Sequence, residues 1–326
     1  MNNEITIIPN LPTDGIYLTQ PMPTGKDPVL AYLNGNMKSA TGRYTQGRVI
    51  LTIASWLNSD PALINWPALE YAHISALCNH AESLFAPATA RKYRSALMGI
   101  TRASFALGLI TGDQYMRSWE VPPITGESLP AGRNLTQGEI NALVNSCTKD
   151  PTAAGVRDAA IICLMYVCLV RRSSLVALEY SKYDPQTGRI VWHGKRNKEY
   201  ATYATGGAKA ALDDWLVLRG SDPGPIFHPI TQTGKIMRSL KPLSAHDVYK
   251  ICQKRGEQAG VAHFSPHDFR RTAAGELMER GVDINTVSKI MAHDDVKTTG
   301  KYDRRPDEVK RTAAEKLHVP YVSRTA

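Results

Sequence analysis

The stretch from His263 to Tyr302, HFSPHDFRRTAAGELMERGVDINTVSKIMAHDDVKTTGKY, constrains this chain more than any other. Apolar residues recur at helical spacing from Pro266 through Ala273, Leu277 and Met278, and Gly281 ends the pattern. His267 and Arg270 stand three apart, so they share one face near the start of that helix. Ile284, Val287, Ile290 and Met291 predict a second short amphipathic helix ending at Ala292-His293. A polar, helix-compatible segment, Asp294 to Lys301, then delivers Tyr302. Two imidazoles, an arginine and a phenol thus arrive on adjacent compact elements.

Such a set has a definite chemistry. An arginine and two imidazoles can hydrogen-bond the oxygens of a phosphodiester and stabilise charge that builds in a transition state. A tyrosine hydroxyl is a covalent nucleophile once its proton is removed. Taken singly, a helix histidine is ordinarily structural, and a tyrosine after a polar turn ordinarily packs. The joint spacing points instead to phosphoryl transfer through a phosphotyrosine.

Charge supports that direction. The chain of 326 residues carries a formal charge of +9, and 43% hydrophobic content is ample for two packed cores. Up to residue 121 there are 9 Lys and Arg against 8 Asp and Glu, leaving 30 against 22 for the rest. The excess therefore lies with the candidate site, where neutralising backbone phosphates would supply nucleic-acid affinity. A solvated basic surface is the plainer alternative. Cys78, Cys147, Cys163, Cys168 and Cys252 are odd in number and lack metal-ligand pairing, which fits a reduced, cytoplasmic protein. The first residues lack the basic-then-apolar pattern of a secretory leader. The longest apolar run, Ala159 to Val170, is too short to span a bilayer, so no membrane partner is expected.

Residues 1–26, with four prolines, read as an irregular N-terminal arm, and 27–121 read as helical throughout. The helix from Pro87 to Gly108 carries Arg91, Lys92 and Arg94 beside an apolar stripe. It is either an ordinary amphipathic helix or one that lays cations on a DNA backbone. Residues 122–134, PPITGESLPAGRN, read as a linker, and 135–326 as a second domain with a C-terminal tail. Thr136 and Glu139 form a capping-box pattern. A buried helix from Gly155 to Val170 then leads directly into Arg171-Arg172. Two arginines there reach a surface or a ligand anion, or serve as C-terminal dipole partners. Strand patterns at 189–192 and 200–205 flank a turn, Gly194 to Lys198, whose Lys195, Arg196 and Lys198 form a cationic hairpin tip. Pro306 to Leu317 reads as a last helix.

In this order the motifs resemble those of the tyrosine recombinases of the phage integrase family. The resemblance covers roughly residues 135–305, and 27–121 is similar in position and size to the family's core-binding domain. Arg171 within Leu-Val-Arg-Arg-Ser-Ser-Leu resembles the first catalytic arginine, and Lys195 the catalytic lysine. His267-Asp-Phe-Arg270 resembles the His-X-X-Arg box, His293 the position filled by His or Trp, and Tyr302 the nucleophile. There are departures. Leu169-Val170 stands where the family often has Gly-Leu, Ser174 where it has an acid, and Ala292 where it has glycine. The first and third bear on turn geometry, and the second removes an orienting partner of Arg171.

The resemblance implies a mainly α architecture: an all-helical core-binding domain and an α+β catalytic domain with a small antiparallel sheet. It implies attack by Tyr302 on a DNA phosphodiester to give a 3′-phosphotyrosyl bond and a free 5′-hydroxyl. Arg171 and Arg270 would grip the non-bridging oxygens, Lys195 would protonate the leaving oxygen, His267 would assist proton removal, and His293 would hydrogen-bond the phosphate. Arg91, Lys92, Arg94, Arg172, Arg196, Lys198 and Arg271 are further candidates for DNA contact. No cofactor or metal is expected, since one phosphodiester is exchanged for an ester of similar energy and no carboxylate cluster suggests Mg²⁺. The implied partners are a double-stranded recombination site, three further copies of the chain and an accessory DNA-bending protein. The rival readings are a type IB topoisomerase and a catalytically silent DNA-binding accessory protein.

Overall fold

The computed structural model describes residues 16–126, 132–194, 199–238, 242–300 and 302, with 314, 315, 317 and 320. Lys195, Arg196 and Lys198, most of the N-terminal arm and nearly all of the expected tail helix lie outside these residues. The chain divides into two compact units, Met1–Leu129 and Pro130–Ala326.

The first unit is helical: α1 (Pro28–Asn36), α2 (Ala40–Trp56), α3 (Tyr71–Leu84), α4 (Pro87–Ala106) and α5 (Gly112–Trp119). Asp27 starts α1 by accepting from Val29 N at 2.8 Å, and Ser39 starts α2 by accepting from Gly42 N at 3.0 Å. Pro28 and Pro87 occupy the first helical position of α1 and α4, where a missing N–H costs nothing. α4 packs against α1, α2 and α3 and buries Ala90, Tyr93, Leu97 and Ile100 among them. At Gly99 a Cβ would lie 2.1 Å from Tyr32 Cε2, so any side chain there would force the buried Tyr32 ring to shift.

Arg91 and Arg94 turn out to have local partners. Arg91 Nε donates to Ile124 O at 2.9 Å and Nη2 to Gly126 O, while Arg94 donates to Pro122 O at 3.0 Å and Val121 O at 2.7 Å. Val121 and Ile124 are themselves buried in the helical core. Residues 121–126 are therefore sewn to α4, at the start of the segment read as linker, whereas Lys92 is exposed.

The second unit is α+β, as expected: α6 (Gln137–Thr148), α7 (Ala153–Val167), α8 (Arg172–Val176), β1 (Arg189–His193), β2 (Glu199–Tyr203), α9 (Gly206–Arg219), α10 (Ala245–Gln258), α11 (Pro266–Glu279), α12 (Ile284–Ile290) and α13 (Val296–Gly300). The strands pair antiparallel with Arg189 opposite Tyr203 and His193 opposite Glu199. The apolar α7 lies centrally against α6, α9, α10 and α11, and Trp192, Trp215, Phe227 and Phe269 complete the core around it. A capping box closes α6: Glu139 N donates to Thr136 Oγ1 at 3.1 Å, and Thr136 N to Glu139 Oε2 at 2.8 Å.

One expectation is corrected. The buried helix stops at Val167, three residues before Val170, because Leu169 takes a left-handed φ of +48° that no α-helix continues through. Arg171 consequently does not extend that helix; it caps the next one, its carbonyl accepting from Ser174 N and Leu175 N at 2.9 Å each.

The core also buries an ion network. Arg255 is 1% exposed. Its Nη2 lies 2.7 Å from Asp150 and 2.8 Å from Asp158, which also takes Arg157 at 2.8 Å. Burial opposes ionisation of Asp150, but hydrogen bonds from Thr152 and Arg255 outweigh it and hold the carboxyl down to about 2. Arg255→Leu, which strands carboxylate charge inside, is expected to lower unfolding free energy by about 3 kcal/mol, read from a urea titration. A loss below about 1 kcal/mol would show that the network relaxes around the gap.

Candidate active site

α11 opens on Ser265, whose N and Oγ donate to Asp268 Oδ2 at 2.8 and 3.0 Å, with Pro266 at the first helical position. That start, and packing against α7, fix the register of the residues that follow. Arg270 faces inward beneath the turn between α7 and α8 and is 1% exposed. Its Nη1 donates to Leu169 O, its Nη2 to Met291 O, and Nη2 also lies 2.9 Å from His293 Nε2. These partners are all neutral acceptors. Burial, and then the neighbouring Arg171, push the Arg270 pKa down to about 10, so it remains a cation at neutral pH.

The same contacts set the tautomer of His293. A guanidinium N–H can only donate, so Nε2 accepts, and the ring proton sits on Nδ1, 2.8 Å from Thr299 Oγ1. Burial, with Arg270 and Arg171, lowers the His293 pKa to about 4 and keeps the ring neutral. In this arrangement His293 orients Arg270. Donation from Nε2 to a phosphate requires the ring to exchange that contact.

Arg171 reaches the same place from the other side, its Nη2 donating to Ala292 O at 3.4 Å. It stands between two cavities. One, of about 480 Å³, is lined also by Arg172, Tyr249 and His267. The other, of about 420 Å³, is lined also by Gly194, Glu199, Tyr200 and His293. His267 reaches solvent, yet the protein packed around it and then Arg270, Arg271 and Arg171 hold its pKa below the ordinary value. Tyr302 packs on the small apolar cluster of α11 and α12, its ring nearly parallel to His293 at 6.0 Å between centroids.

The structure thus brings Arg171, His267, Arg270, His293 and Tyr302 together. Of the residues read as DNA contacts, Arg172 is exposed beside His267, whereas Arg271 is turned inward and 9% exposed. Among the described residues no group of three His, Cys, Asp or Glu is placed to hold a metal ion, and no helix is long and apolar enough to cross a membrane.

The departures in sequence have structural answers. Ser174 Oγ donates to His193 O at 2.9 Å and fastens α8 to the end of β1. Leu169 and Ala292, standing where glycine was expected, take φ of +48° and +47°, and their carbonyls serve Arg270 and Arg171. A left-handed non-glycine residue costs about 1–2 kcal/mol. Ala292→Gly should therefore raise stability by about 0.5 kcal/mol once glycine's greater chain entropy is subtracted. Leu169→Gly should instead lower it by about 2 kcal/mol, because the buried leucine side chain outweighs the strain. Denaturant unfolding of both variants checks the signs, and a gain at 169 would contradict this account.

Sequence reasoning missed Thr299, which fixes the His293 ring, and carried no signal for it. It also missed Asp268, which the Ser265-x-x-Asp268 capping spacing could have flagged.

The chain is similar to known proteins. Residues 133–308 match the model of the phage integrase family. Tyrosine recombinase XerC of Yersinia pestis is 28% identical over 284 residues, covering 84% of this chain and 87% of that protein. Tyrosine recombinase XerD of Mycobacterium leprae (strain TN) is 31% identical over 213 residues, covering 64% and 66%. Among solved structures, XerH recombinase bound to palindromic difH substrate in a post-cleavage complex superposes with a TM-score of 0.62 at 17% identity, over 92% of this chain and 90% of that one. A lambda integrase dimer bound to a COC′ core site gives 0.59 at 17% identity, over 85% and 77%.

Proposed function

The chain belongs to the phage integrase family, and from that premise we propose that it is a site-specific recombinase cutting and rejoining duplex DNA through a 3′-phosphotyrosyl bond to Tyr302. The observation that carries the reading is Arg270. It is a buried cation held by neutral acceptors, next to a second guanidinium and a tyrosine. A buried charge needs a counter-charge, and a phosphodiester entering beside Arg171 supplies one.

In the proposed step Tyr302 Oη forms a bond to phosphorus as the bond from phosphorus to the 5′-oxygen breaks. The phenolic proton passes to His267, neutral because its pKa is depressed. Arg171 and Arg270 hold the non-bridging oxygens, with His293 keeping Arg270 in place. Lys195 gives its proton to the leaving oxygen. It lies outside the described residues, but Gly194 and Glu199, which bracket the hairpin tip, line the cavity of Arg171 and His293. The reverse step uses the 5′-hydroxyl of a partner duplex. The energy of the phosphodiester is conserved, so no nucleotide cofactor enters, and the arginines take the place a metal ion fills in many nucleases.

Four copies bringing two sites together, with an accessory DNA-bending protein, complete the proposed assembly in the cytoplasm at the nucleoid. Integration, excision or resolution for a mobile element or replicon is the proposed role. Incubation with a nicked duplex from the DNA that encodes the chain tests the reading. A covalent adduct that transfers its strand to an added 5′-hydroxyl duplex is the expected result. Relaxation of supercoils without site preference or partner duplex would mean type IB topoisomerase chemistry. Site binding with no adduct would mean a silent accessory protein.

A further inference from the structure

Arg271 follows Arg270 on α11 but serves neither that cluster nor solvent. Its guanidinium carbon lies 6.0 Å from the centroid of the Tyr302 ring. Nη1 is buried, makes no hydrogen bond, and stands 3.6 Å from Asp268 Oδ1. Asp268 is 2% exposed and already committed: Oδ2 accepts from Ser265 twice, and Oδ1 accepts from Arg133 N at 3.2 Å. The carboxylate therefore anchors Arg271 only loosely, and leaves its charge directed at the ring.

The space around this pair is closed by Gly132. A Cβ at Gly132 would fall 2.1 Å from Asp268 Oδ1 and 2.7 Å from Arg271 Nη1, and its φ of +90° already demands glycine. Arg133, next in the chain, donates to His263 O at 3.1 Å and Ala262 O at 2.6 Å. The charged and titratable groups about Tyr302 and Arg271 among the described residues are Arg271, Arg270, His267 and His293, with Asp268 behind Arg271. His293 is neutral, so among the described residues the charges nearest the ring are the two guanidinium groups.

We propose that Arg271 is a positioning residue for the nucleophile: its cation holds the Tyr302 ring and stabilises the phenolate as the proton leaves, while Asp268 and Gly132 hold Arg271. This rests on Tyr302 being the nucleophile. The physical reason is that a phenolate spreads negative charge into its ring, so a cation at the ring attracts the ionised form more than the neutral phenol. Arg271 takes no proton; the balance of the cleavage step is unchanged.

The test is single-turnover adduct formation by the full chain on a nicked duplex, followed from pH 6 to pH 10 as a rough working range set by histidine and tyrosine titration. Wild type, Arg271→Met, Arg271→Lys and Gly132→Ala are compared. Arg271→Met should be about tenfold slower near neutrality and should shift the alkaline rise of the rate to higher pH, with unchanged DNA affinity. Arg271→Lys should restore most of the rate, and Gly132→Ala should shift the profile in the same direction as Arg271→Met. A uniform loss with no shift of the profile would overturn the proposal. So would weaker DNA binding with a shallower salt dependence, which would make Arg271 a phosphate contact. Should Arg271→Met not fold, the lysine and Gly132→Ala profiles decide alone. Wild-type adduct lost in Tyr302→Phe secures the nucleophile separately, so failure of that assignment and failure of this proposal give different results.

Discussion

Tyr302→Phe is expected to abolish the covalent protein–DNA adduct, a fall of more than about 10⁴-fold, while leaving DNA affinity at a fixed salt concentration unchanged. The two halves of that expectation come from different atoms. The ring of Tyr302 packs on the small apolar cluster of α11 and α12 and beside His293, and phenylalanine keeps all of that surface. Only Oη disappears, and with it the one atom proposed to bond to phosphorus. Affinity comes from cations and helix faces that the substitution does not touch. The measurement is denaturing-gel detection of a 3′-linked adduct beside a binding titration of both proteins. An adduct persisting in the variant would move the nucleophile elsewhere, Tyr321 being the next candidate.

Arg270→Met is expected to slow adduct formation by about 10³-fold or more, since the buried cation proposed to stabilise the phosphate is lost with its hydrogen-bond donors, and one such donor is worth roughly 10²–10³. Its effect on stability should be far smaller, about 1 kcal/mol in either direction. Removing a desolvated cation is favourable, while leaving Leu169 O and Met291 O without a donor costs about as much. Arg255 is the contrast: equally buried, but paired with two carboxylates, so its loss falls on stability. Arg270→Lys should recover little of the rate, because an ammonium cannot reach two carbonyls, an imidazole and a phosphate with one planar fork. Rates on the nicked duplex and urea unfolding of the same preparations separate the two effects. A loss of rate under about tenfold would remove Arg270 from the phosphate site.

Much of this was legible because helices write themselves as periods. The spacing from Pro266 to Gly281 gave α11 and put His267 and Arg270 in its first turns, α12 followed from the same pattern, and the start of α6 from its capping box. The end of α7 was misread because nothing in Leu-Val-Arg-Arg marks a break; a glycine at 169 would have, and the left-handed leucine hides it. The engaged state of Arg91 and Arg94 was equally silent, since their acceptors are carbonyls some thirty residues away that any side chain could have carried. α5 was passed over inside a general helical reading although Thr111-x-x-Gln114 spells a capping box. Within the site, side chains were found by type and spacing. The contacts that hold them, Met291 O, Ala292 O, Leu169 O and Thr299 Oγ1, were not, because three of the four are main chain.

Main-chain carbonyls holding Arg270 and Arg171 also change what mutation can reach. No codon change deletes a carbonyl oxygen, so positions 169, 291 and 292 can drift in side chain provided the chain keeps its path there. The two arginines proposed to hold the phosphate are in that sense insulated from the genetic history of their own neighbours. Random libraries over these three positions should return many active clones that differ in stability, whereas libraries at 171 and 270 should return almost none. An enzyme built this way can be re-evolved toward new DNA sites through its surface while its reaction centre stays constant.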